Sequence, residues 1–194
     1  MPTMPRATGR ARRGLLFLAT LASIAAGLGA APIRAQTANV PPILAGTWQH
    51  DGALARSVRT IDAAFAPSLA VIPELLQGFA RDRIRTDMAP PRSVDVTLEG
   101  GRVRVALHAE REATIEGALN SHARTTGVDE GTVVTPRVAS GWLELQYVGE
   151  GSELLQLLST EADGGHMHLD YTVTSPRLRG PVRYRLEYVR AAGH

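Results

Sequence analysis

The sequence predicts a mainly β protein: an antiparallel up-and-down barrel of about 8–10 strands with a short helical insert after the first strand. Three observations carry that prediction. From Ser93 to Arg190 apolar residues recur with period two, the spacing at which side chains of a strand share a face. The alternating runs are separated by glycine-rich turns of two or three residues, which join neighbours antiparallel. Helical spacing marks residues 53–86 and recurs only at Leu154, Leu155, Leu157 and Leu158, where the turns on both sides demand a strand. Such a meander leaves two open edges, and meeting of the first and last strands removes them. The alternative is a two-layer sandwich capped by the helices.

Residues 1–35 read as a secretory signal. Arg6, Arg10, Arg12 and Arg13 precede an apolar run from Leu15 to Ala31, no acidic residue occurs before Asp51, and Ile33-Arg34-Ala35 offers a small residue for cleavage. The run is shorter and richer in Ala and Gly than the about 20 strongly apolar residues of a membrane span. The expectation is cleavage before Gln36, no stable membrane span afterwards, and a periplasmic or secreted protein. Arg12-Arg13 also fits a loose twin-arginine pattern, although arginine pairs are common in ordinary secretory signals.

Losing the signal changes the electrostatics. All 21 basic residues are Arg, against 19 acidic ones, and removing five Arg leaves sixteen against nineteen, a formal −3. An acidic mature chain has little general attraction for phosphate backbones, so no nucleic-acid partner is expected. The absence of Cys excludes disulfide scaffolds, Cys-based zinc sites and thiol nucleophiles. The absence of Lys excludes Schiff-base and P-loop lysine chemistry.

Residues 36–45, with a Pro-Pro pair, form a lead-in, and the single domain spans 46–191 with its helical insert at 53–86. Leu54, Val58, Ile61 and Phe65 lie on one helical stripe that Pro67 should end. A second short helix from Pro73 should carry Leu75, Leu76 and Phe79 inward. Met88-Ala89-Pro90-Pro91 ends the helical section.

The strands follow. A Gly100-Gly101 turn pairs Leu98 with Val103, Val96 with Val105 and Val94 with Leu107, puts every apolar residue on one face, and sets Glu99 opposite Arg102. Residues 112–119 and 131–139 are weaker strands around a polar stretch that reads as an exposed loop. Trp142–Val148 alternates cleanly. A three-residue turn, Gly149-Glu150-Gly151, would then pair Leu145 with Leu155 and Leu143 with Leu157 in a strand over Glu153–Thr160. In His166–Thr174, Met167, Leu169, Tyr171 and Val173 share a face. In Val182–Arg190, Val182, Tyr184, Leu186 and Tyr188 do.

Gly46-Thr47-Trp48 on the first strand, helices directly after it, a consecutive meander and a final strand ending Tyr188-Val189-Arg190-Ala191 resemble the calycin barrels. The placement of the helices is closer to the fatty-acid-binding proteins than to the lipocalins. The resemblance spans residues 44–191 and implies a barrel in which the Trp closes the base and an apolar ligand occupies the interior; with the N-terminal signal, an exported bacterial member of that class is expected. Where that family has its carboxylate-binding Arg, two residues before the final Tyr, this chain has Leu186. A neutral apolar ligand therefore fits better than a fatty carboxylate.

The candidate ligand-binding residues are Trp48, Val96, Val105, Leu145, Tyr147, Tyr171, Tyr184 and Tyr188, an apolar lining with a few hydroxyl handles. The competing reading is that they fill the core. His166, His168 and Asp170 share a strand face with Glu187 opposite His168, a spacing that can hold a metal. Arg183 and Arg185 on the same face oppose a cation, so a solvated polar face is expected, with no metal and no cofactor. No Gly-x-Ser-x-Gly occurs, and no catalytic residue is assigned. The resulting expectation is a non-catalytic barrel that binds or carries a small hydrophobic ligand. The alternatives are an envelope enzyme using His and carboxylates, or a filled barrel that acts on a protein partner.

Overall fold

The computed structural model describes residues 42–139 and 141–192. The expected signal, its cleavage point and the start of the lead-in lie outside those residues. A 3-10 turn, Pro42–Leu44, leads into β1 (Gly46–His50), followed by α1 (Leu54–Leu69) and α2 (Glu74–Asp87). Nine more strands follow among the described residues: β2 (Ser93–Glu99), β3 (Arg102–His108), β4 (Ala113–Ala118), β5 (Arg124–Thr126), β6 (Val133–Ala139), β7 (Trp142–Gly149), β8 (Ser152–Thr160), β9 (His166–Thr174) and β10 (Val182–Arg190).

The ten strands form one antiparallel sheet in the order β5-β4-β3-β2-β1-β10-β9-β8-β7-β6. Each strand from β2 to β5 and from β6 to β10 lies beside its chain neighbour, and β1 joins the two halves by pairing with both β2 and β10. The first and last strands thus meet, as the meander requires. The seam lies instead between β5 and β6, where no ladder forms among the described residues. Two backbone bonds narrow it: the Asn120 N–H donates to Pro136 O at 2.7 Å and the Ala123 N–H to Val134 O at 2.8 Å. β5 falls inside the stretch expected to be loop, and with three residues it is too short to carry the ladder across.

The β2–β3 hairpin has the predicted register throughout, including Glu99 opposite Arg102. Gly100 and Gly101 both have positive φ, +54° and +77°, as the tight mirror-image turn demands. The β7–β8 hairpin differs. Gly149 pairs with Ser152, so the turn has two residues, and Leu145 faces Gln156 while Leu143 faces Leu158. Only Gly151 needs a positive φ there, at +70°, and Gly149 remains free to extend the strand. A one-residue slip exchanges the two faces of a strand. Leu154, Gln156 and Leu158 therefore point inward, and Leu155 and Leu157 outward.

The helices also depart from expectation. α1 runs through Pro67 to Leu69, because a proline in the last turn forfeits one hydrogen bond while Ser68 and Leu69 stay buried. The stripe that α1 buries is Ser57, Ile61, Phe65 and Ser68, with Leu54 and Val58 only half-buried. α1 packs on β10, whereas α2 packs on α1. α2 contributes the half-buried Ala80 and Ile84 to the core, and Leu75 (93% exposed), Leu76 and Phe79 (77% exposed) face outward rather than inward. Pro73, just before the helix, sets where its turns begin and hence which residues face α1.

Arg85 clamps the two helices with a forked pair of bonds to Asp62, 3.1 Å from Nε and 2.6 Å from Nη2. The guanidinium hydrogen bonds hold the Asp62 carboxyl below its ordinary range. A carboxylate with a lowered pKa in the folded state stabilises above its ordinary pKa and loses that effect as pH falls through the lowered value. Asp62→Asn is expected to lower the melting temperature slightly at neutral pH. In thermal melts the difference from wild type should shrink as pH falls below the ordinary carboxylate range and through the lowered pKa.

One end of the barrel is closed at Trp48, which is fully buried. Its Nε1–H donates to Leu44 O at 2.9 Å, and the Arg190 guanidinium lies 4.3 Å from the ring centroid. Arg190 also donates to Gly164 O, Ala45 O and Ile43 O, stitching the 3-10 turn onto the sheet.

Candidate functional site

Period-two parity and the β7–β8 register together assemble a polar group on the inner wall. Tyr147 on β7, Gln156 on β8 and Tyr171 on β9 all point inward, and Gln156 pairs directly with Tyr171 across the ladder. The Tyr147 hydroxyl donates to Gln156 Oε1 at 2.8 Å within the buried interior. The Tyr171 ring stacks on Tyr184, centroids 4.6 Å apart and planes 12° apart, and Tyr184 tilts against Phe65 of α1 at 6.4 Å. The helical lid and the strand wall therefore touch through these rings.

Above this group is a partly enclosed cavity of about 340 Å³. Leu107, Tyr147, Leu154, Gln156, Tyr171 and Val173 make its inner wall. Its mouth is made by the C-terminal end of α2 and the residues after it (Thr86–Pro91), the β3–β4 link at Ala109 and Arg111, Gly127–Thr132, and the β7–β8 turn. Gly127 has φ +73°, and a Cβ there would collide with the carbonyl of Glu112, so the backbones at the mouth approach closely.

The site's charges lie at the mouth. Asp129 binds Arg111 at 2.7 Å, Asp87 binds Arg83 at 2.7 Å, and Glu153 accepts from Gln146 Nε2 at 2.6 Å. The buried phenols carry no charge, because burial drives the pKa of Tyr147, Tyr171, Tyr184 and Tyr188 well above the usual range. For Tyr171 a hydrogen bond with Gln156 partly offsets that rise. The inner wall thus presents apolar surface and neutral hydrogen-bonding groups.

Of the residues singled out in the sequence, Tyr147 and Tyr171 line the cavity. Trp48, Val96, Val105, Leu145, Tyr184 and Tyr188 are buried in the surrounding core and are not part of the cavity wall. The Tyr188 hydroxyl donates to Pro91 O at 3.0 Å, tying β10 to the link that forms one side of the mouth. The Tyr184 hydroxyl is buried without a partner. Gln156 escapes a reading of the sequence because a three-residue turn places it outside. Its one signal is a lone polar residue in Leu154-Leu155-Gln156-Leu157-Leu158.

The outer His168 and Asp170 are engaged elsewhere. His168 lies opposite Glu187 and 3.3 Å from Glu161, and Asp170 takes both arms of Arg185 at 2.7 and 2.8 Å. Among the described residues no group of three His, Asp or Glu side chains is placed to hold a metal ion. His50 Nε2 lies 2.7 Å from Ser57 Oγ, but neither residue lines the cavity.

No family model and no curated protein matches the sequence. Solved structures match the fold. A REP1-NXSQ fatty acid transporter is 13% identical over 78% of this chain and 98% of its own, with a TM-score of 0.50. A single-residue mutant of the fluorescent protein UnaG is 12% identical over 78% of this chain and 98% of its own, with a TM-score of 0.49. Fatty-acid-binding protein 1 of Echinococcus granulosus is 14% identical over 77% and 98%, with a TM-score of 0.47. The fold is that of the fatty-acid-binding-protein-like barrels, ten antiparallel strands in a nearly closed barrel with two helices.

Proposed function

We propose that this protein binds or carries a small, neutral, hydrophobic molecule in its interior, in the periplasm or outside the cell after loss of its N-terminal segment. The observation that carries the reading is the cavity above Tyr147, Gln156 and Tyr171, apolar on its inner wall and open at the ends of the strands. The same barrel serves a fatty acid transporter among its structural relatives. Burial of ligand surface drives binding, at about 25 cal/mol per Å² of apolar area. Among the described residues no histidine lines the cavity, and Asp87 and Asp129 at its mouth are each engaged by an arginine, so the wall favours a binder over an acid–base enzyme.

The purified protein is expected to carry lipid-like material, recovered by denaturing extraction and identified by mass spectrometry, or to bind pyrene at about micromolar concentration. An empty extract together with no pyrene binding would remove the proposal. Fractionation of the native host tests the location, and a cytoplasmic pool that keeps residues 1–35 would contradict it.

A further inference from the structure

We infer that the cavity selects an uncharged hydrogen-bond acceptor, an ester, amide or ketone carbonyl on an otherwise apolar molecule, and discriminates against the free carboxylate of the same chain. The inference rests on the binding role proposed above and adds the chemical class of the ligand. It begins with what the inner wall can donate. Gln156 uses its carbonyl oxygen to accept from Tyr147, which leaves the two amide protons as the group it can offer. Where one of those protons goes to the Tyr171 oxygen, the phenolic proton is free to donate in turn. Either arrangement leaves a donor facing the cavity, where a carbonyl of the ligand can accept from it.

The second step concerns charge. Tyr147, Gln156 and Tyr171 supply neutral donors and no cation. Among the described residues that line the cavity Arg111 is the one basic residue, and it sits at the mouth bound to Asp129. The remaining charges there, Asp87, Asp129 and Glu153, are acidic. A carboxylate entering head first would leave water for a wall without a counter-ion, because the arginine at the mouth is already paired with Asp129. A buried charge without a partner is disfavoured far more strongly than a neutral carbonyl that finds a donor. An ester or ketone keeps the hydrogen bond and avoids that cost.

The test uses the full chain at pH 8, with pyrene as a carbonyl-free fluorescent probe and methyl decanoate and decanoate as competitors. Methyl decanoate is expected to displace pyrene at a concentration about tenfold or more below that required for decanoate. Gln156→Leu should weaken the ester about tenfold relative to pyrene, the effect of one neutral hydrogen bond. Tyr171→Phe, which keeps the ring, reads the same ratio if Gln156→Leu fails to fold. Decanoate binding as well as or better than the ester would overturn the selectivity. An ester-to-pyrene ratio unchanged in every variant that folds would remove the wall donors from it. Failure of pyrene and ester alike to bind wild type would sink the binding role itself, and this inference with it.

Discussion

Replacing Trp48 with alanine is expected to destabilise the barrel by about 3–5 kcal/mol, seen as an early midpoint in urea unfolding followed by far-UV circular dichroism. The ring is fully buried where β1 joins the two halves of the sheet, with Val94 of β2 on one side and Arg190 of β10 on the other. Its loss opens a cavity at that junction. It also releases the Nε1–H bond to Leu44 O and removes the surface over which Arg190 lies, and Arg190 is what holds Ile43, Ala45 and Gly164 together. Trp48→Phe separates these contributions. It keeps most of the buried area and loses the indole donor, for an expected cost of about 1–3 kcal/mol. Equal effects of the two substitutions would show that the hydrogen bond, and not packing, dominates at this end.

The second large effect is a contrast within β8. Leu158→Ala is expected to cost about 2–5 kcal/mol, because Leu158 is fully buried between Leu143 and Leu169 on the inner face. Leu157→Ala, one residue away, should cost about 1 kcal/mol or less, because its side chain lies on the outer face beside Glu144 and Asp170. A three-residue turn at Gly149-Glu150-Gly151 would reverse that order. Urea unfolding of the two variants decides between the registers, and with them whether Gln156 belongs to the cavity.

Where the alternation is unbroken and the turn unambiguous, side-chain direction is readable directly. In β2–β3 the two glycines and the two apolar faces agree on one register only, and the structure has it. The faces of β9 and β10 are legible for the same reason: Met167, Leu169, Tyr171 and Tyr184, Leu186, Tyr188 are all buried. β8 is not legible, since Leu154-Leu155-Gln156-Leu157-Leu158 offers leucines to either face and a glycine on each side of Glu150 allows two turns. The length of that turn, and so the polar member of the cavity wall, depends on which face finds a partner across β7 and β9. α2 fails in a related way. Its apolar residues fall on more than one side, and contact with α1 buries Ala80 and Ile84 instead of Leu75 and Phe79.

Local chemistry in the chain was sufficient for the mainly β class, the two helices and most inward-facing positions, because period-two spacing and glycine turns act over a few residues; the meeting of β1 with β10 was expected only from the need to remove open edges. Tertiary packing alone decided the seam between β5 and β6, the outward apolar face of α2 and the cavity at the strand ends. Those features depend on competition between segments far apart in sequence for the same buried surface, and no short stretch of residues carries the outcome of that competition.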